Sequence, residues 1–73
     1  VQSIMQMKVY GSRDEFLTVT IIDYMGRMIN KSEHHIYEGN NLISIDIDDC
    51  PRGYYNVVLD TEFRRNVLKM IKR

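Results

Sequence analysis

LTVTIIDYMGRMIN, residues 17–30, decides how this chain is read. Leu17, Val19 and Ile21 fall two apart, with Thr18, Thr20 and Ile22 between them. That period places the three apolar side chains on one face of an extended strand. The strand ends near Asp23, Tyr24-Met25-Gly26 follows, and a second extended run begins at Arg27. A glycine two to three residues past a strand end fits a short hairpin turn, where a Cβ would be strained. The passage therefore reads as strand, turn, strand.

The same grammar recurs along the chain. In Ile43-Ser44-Ile45-Asp46-Ile47-Asp48 three isoleucines share one face and three polar residues the other. This is the clearest strand in the sequence, because β-branched residues suit a half-buried pleated surface. Tyr55, Val57 and Leu59 mark another strand, and Met5, Met7 and Val9 mark a first one. Between Arg27 and Tyr37 the alternation is poorer, which predicts a strand that frays or bulges midway. Turn-forming clusters lie between the runs at Gly11-Ser12-Arg13-Asp14, Gly39-Asn40-Asn41 and Asp48-Asp49-Cys50-Pro51-Arg52-Gly53. Turns spaced about 8–12 residues apart predict an all-β sandwich or barrel.

The last thirteen residues fit two periods. Phe63, Val67, Met70 and Ile71 lie at helical spacing, with Thr61 as a possible cap. As a strand, the same segment puts Leu68 and Met70 on one face and Val67 and Ile71 on the other, after a tight loop at Asp60-Thr61-Glu62. The strand is preferred, because a lone short helix is marginal in water without an apolar surface to cover.

Bulk composition narrows the function. Seventy-three residues make one domain, 1–73, with a single modest core. Ten Lys and Arg balance ten Asp and Glu, so there is no basic stripe to attract nucleic acid. No apolar run approaches the roughly 20 residues of a membrane-spanning helix. The chain opens on Val1 with no charged-then-apolar leader before the folded pattern. The expectation drawn from that is a C-terminal fragment of a longer exported protein.

Chemistry is sparse. His34 and His35 are adjacent in an extended run, so their side chains point to opposite faces and do not converge on one metal. Asp46, Asp48 and Asp49 lack the Gly and the distant Glu of a calcium loop. Cys50 could act as a nucleophile only with a positioned His base, and it lies between Asp49 and Pro51, where a neighbouring carboxylate raises a thiol pKa instead of lowering it. Tyr55 is expected in the core and Tyr54 on the outer face. Arg64, Arg65, Lys69, Lys72 and Arg73 form a basic tail, opposed by Asp46, Asp48, Asp49 and Asp60. A charged edge that discourages strand addition is one reading of that tail, and a recognition patch is the other. The reading is a non-enzyme with no cofactor and no metal site.

The order of the turns is more specific than any one of them. The chain from Leu17 onward resembles the C-terminal sorting domain of the type IX (Por) secretion system of Bacteroidetes. Asp23-Tyr24-Met25-Gly26-Arg27 stands where that family has Asp, two residues and Gly-Arg between strands. Asn41 followed by Leu42–Ile47, Gly53-Tyr54-Tyr55 entering a strand, and the basic apolar finish Val67–Arg73 match in order. Gly11-Ser12-Arg13 stands where many members have Pro-Asn-Pro.

The resemblance implies a small immunoglobulin-like antiparallel β-sandwich of about six strands. It implies a sorting and recognition module for an exported protein, which passes through the periplasm to the cell surface or beyond. The implied partners are secretion machinery proteins at the outer membrane; in many such proteins a sortase-like peptidase then removes the domain. Lys69, Lys72 and Arg73 become candidate recognition residues, and Asp23, Gly26, Arg27, Gly53 and Tyr55 the motif residues of the turns. The alternative is a small secreted immunoglobulin-like binding or structural module of unknown function. Either module, with a long unblocked edge strand, is expected to form a homodimer by edge pairing or strand exchange.

Overall fold

The computed structural model describes residues 3–73. It contains six strands, β1 (Ile4–Gly11), β2 (Glu15–Asp23), β3 (Met28–Ile36), β4 (Gly39–Asp46), β5 (Gly53–Asp60) and β6 (Arg65–Lys72). All pairings are antiparallel, in a four-stranded sheet ordered β3-β2-β5-β6 and a two-stranded sheet of β1 and β4. The all-β sandwich of about six strands is thus the observed architecture.

The period-two faces explain how the sheets stack. Leu17, Val19 and Ile21 of β2 and Tyr55, Val57 and Leu59 of β5 are buried side by side. Ile43, Ile45 and Ile47 oppose them, and Met5, Met7 and Val9 of β1 pack against the same cluster half-buried. A two-stranded sheet is too narrow to roof four strands. The burial shows it: β2 and β5 are sealed, whereas Leu68 of β6, on the core face opposite Val57, remains 47% exposed.

The tail is a strand. Leu68 and Met70 lie opposite Val57 and Tyr55, and Val67 and Ile71 lie opposite Val58 and Tyr54, as the extended reading predicts. The β5–β6 loop is longer than expected, running through Arg64. Thr61 N–H donates to Arg64 C=O at 2.8 Å, and Thr61 Oγ1 accepts from Arg64 N–H at 3.0 Å. The threonine caps a hairpin loop and not a helix.

Two other segments differ in detail from the expectation. The irregularity in β3 is a bulge near its start: Ile21 pairs Asn30 and Ile22 pairs Met28, leaving Ile29 between them. Gly39-Asn40-Asn41 is not a separate turn but the first part of β4, with Gly39 opposite Gly11. Asn41 explains why it looked like one. Its side chain accepts from Tyr37 N–H at 2.9 Å and donates to Tyr37 C=O at 2.8 Å, so a strand residue ties down the preceding loop.

At the same end of the sandwich, where it pairs with Ile36, Glu15 continues the core face of β2. Its side chain is 8% exposed and lies 3.9 Å from Arg64 Nη2, and its Oε1 has no hydrogen-bond partner. Arg64 also donates to the Tyr10 carbonyl of β1 at 3.4 Å, bridging the two sheets. Arg64→Ala is expected to cost about 1–3 kcal/mol, because a buried carboxylate loses its nearest cation. Glu15→Leu added to it should recover most of the loss, as read from urea midpoints.

Candidate recognition surface

Asp23 organises the first motif. Its Oδ1 accepts from the backbone N–H groups of Met25 and Arg27, both at 2.9 Å, and its Oδ2 accepts from Arg27 Nε at 2.9 Å. Gly26 N–H donates to the Asp23 carbonyl, and Asp23 N–H to the Arg27 carbonyl, closing the hairpin. Gly26 sits at φ +85°, a conformation that residues with a Cβ rarely adopt. Asp23 is 7% exposed, yet its carboxyl is held below the ordinary carboxylate value. The Arg27 N–H bond is the leading cause; burial opposes it, and the Arg27 guanidinium and Met25 N–H add to it. The turn therefore favours the ionised form of the aspartate.

Gly53 and Tyr55 build the second motif. Gly53, at φ +149°, lets the chain swing from the Pro51-Arg52 turn into β5. Tyr55 is buried, as expected, and its hydroxyl donates to the Pro51 carbonyl, so the ring in the core also anchors the turn. Burial is the first cause that pushes the phenol pKa up, with Cys50 and Asp23 adding to it, so the hydroxyl keeps its proton as a donor. Tyr54 points outward and is 67% exposed.

These motifs, about thirty residues apart in sequence, meet at one end of the larger sheet. Asp23 is opposite Tyr55, Tyr55 is opposite Met70, and Gly53 is opposite Lys72. The first turn, the start of β5 and the finish of β6 thus form one row. Tyr24, Tyr54, Asn56 and Lys69 line an open depression of about 340 Å³ there, with Tyr24 80% exposed.

The three basic candidates do not behave alike. Lys69 stands opposite Asn56 on the outer face and is exposed, as is Arg73 just beyond the strand. Lys72 instead turns inward, and its ammonium donates to the Ile47 carbonyl at 2.7 Å. It ties β6 to the loop after β4, a structural role that sequence reading missed because only the register brings residue 72 to residue 47. Arg65 is bound to Asp60 at 2.7 Å at the far end of the strand.

The remaining candidates are accounted for locally. His34 faces the core side, with its Nε2 2.9 Å from Ser32 Oγ, while His35 stacks on the outer side between Phe16 and Tyr37. Asp46 Oδ1 accepts from Asp48 N–H at 2.9 Å, and Asp48 accepts from Ser3 N–H, so both carboxylates cap backbone. Cys50 is a buried core residue whose thiol is pushed up, first by burial and then by Asp49 and Asp46, with Lys72 opposing. Among the described residues, no group of three or more His, Cys, Asp or Glu is arranged to hold a metal. No helix among them is long and apolar enough to cross a membrane.

The fold is a small all-β sandwich whose marked residues build turns and whose last strand is a sheet edge beside them. The chain belongs to the secretion system C-terminal sorting domain family, that of type IX secretion, which it matches over residues 1–73. The match includes the N-terminal third, where Gly11-Ser12-Arg13 departs from the usual motif. The family is a sorting signal and not a catalytic one. No curated protein and no solved structure matches the chain significantly.

Proposed function

We propose that this domain is the address by which an attached protein crosses the periplasm and leaves through the type IX machinery for the cell surface. The machinery reads the motif end of the larger sheet, where Tyr24, Tyr54 and Lys69 are displayed, together with the exposed β6 edge and Arg73. The observation that carries this reading is the convergence of both turn motifs on the finish of the last strand. Main-chain groups along such an edge supply affinity to an extended partner segment, and the flanking side chains supply specificity. Lys69 and Arg73 contribute to recognition; Lys72 contributes by holding the strand in place.

The test is export of a reporter fused ahead of Val1 in a type IX-competent cell. The intact domain is expected to deliver the reporter to the surface, and deletion of 69–73 to strand it inside. Lys69→Glu with Arg73→Glu is expected to reduce export at least tenfold while the isolated domain keeps its thermal midpoint, since neither side chain is buried. Equal export without 69–73, or none with the intact domain, overturns the proposal.

A further inference from the structure

The larger sheet has two edges, and their charges differ in kind. The β6 strand carries Arg65, Lys69 and Lys72 and no carboxylate of its own, so a second β6 would meet it with like charge, and Arg65 is already held by Asp60 of β5. The β3 edge carries Lys31 and Glu33 on either side of Ser32. Both side chains are exposed and both lie on the outer face, opposite Thr20 and Thr18 of β2. Among the described residues neither takes part in an ion pair.

We propose that β3 is a self-complementary edge, on which a second copy of this chain docks antiparallel with Ser32 opposite Ser32. The register is dictated by charge. About a two-fold axis through that pair, Lys31 of each copy falls opposite Glu33 of the other, and Asn30 falls opposite His34. Directly opposed residues of an antiparallel pair share a face, so both ion pairs form on the outer side. On the core side Asn30, Ser32 and His34 are half-buried in the single chain, and the partner strand covers them further. The bulge at Ile29 ends the regular run, so the docked segment spans residues 30–34 and the two four-stranded sheets join into one of eight. A symmetric pairing of one patch with itself closes at two copies. It leaves β6 uncovered, so dimer formation and the recognition proposed above are independent.

Sedimentation velocity of the 73-residue chain over a range of concentrations tests this through a charge swap. The wild type is expected to show a concentration-dependent dimer. Glu33→Lys and Lys31→Glu each set like charges opposite one another twice, and each should weaken the dimer roughly tenfold. The double variant Lys31→Glu/Glu33→Lys restores both opposite-charge pairs and should return the dimer to near wild-type strength. Lys69→Glu, on the other edge, should leave it unchanged. Both substituted side chains are exposed, so circular dichroism should show an unaltered fold throughout. A monomer at every concentration, a dimer indifferent to Glu33→Lys, a double variant that fails to recover, or loss of the dimer in Lys69→Glu would each overturn the proposal.

Discussion

Leu17→Ala is expected to lower the stability of the domain by about 3 kcal/mol, and its thermal midpoint by roughly 12–24 °C. Leu17 is 2% exposed on the core face of β2, opposite His34 of β3 and one residue beyond the β2–β5 ladder, in the core cluster that both sheets build and whose neighbours cannot close on the cavity. A domain this size has only about 4–11 kcal/mol in total, so the loss is a large fraction of it. Leu68→Ala provides the contrast. It removes the same atoms from the same face of the same sheet, but Leu68 is 47% exposed beyond the narrow roof of β1 and β4. Its cost should stay under about 1 kcal/mol. Thermal and urea denaturation of the two variants side by side measure how unevenly the core is covered. Equal losses would mean that β6 is packed as tightly as β2.

Asp23→Ala is expected to lower the thermal midpoint by on the order of 10 °C, because three acceptor contacts disappear and two turn N–H groups lose their partner. Arg27→Ala should cost much less. It leaves both N–H bonds to Oδ1 in place, and the Arg27 side chain is 71% exposed, where an ion pair is screened by water. The pH dependence separates these contributions. The folded state depresses the Asp23 pKa below its ordinary 3.8, so the contribution is fully present above that value and is lost as pH falls through the folded pKa. Wild type and Asp23→Asn should therefore differ most near neutrality and converge in acid below pH 3.8. A gap that stays constant from pH 7 to pH 2 would show that the charge of Asp23 plays no part in the turn.

Much of the fold was legible before any coordinates, because alternation is a local property of a strand. Ile43, Ile45 and Ile47 cannot share a face in any other regular structure, and Gly26 after Asp23 is a turn whichever sheet surrounds it. The tail was less legible. Residues 63–71 satisfy both a helical and an extended period, and what decides between them is the open side of β5, which offers a ladder from Gly53 to Asp60. The sequence places Asn41 in a turn because its side chain forms one, while its backbone belongs to β4. Charge alone groups Lys72 with Lys69, and only the loop after β4 separates an anchoring ammonium from a displayed one.

The sequence alone determined the strands before the tail, the Asp23–Arg27 turn and the order of motifs that marks the family, since each follows from residues within a few positions of one another or from the order of short motifs. Tertiary structure decided which strands became edges, which cations remained exposed, and that two turns thirty residues apart stand beside the last strand. Those outcomes depend on pairing between distant segments, where a shift of one residue moves every side chain to the other face.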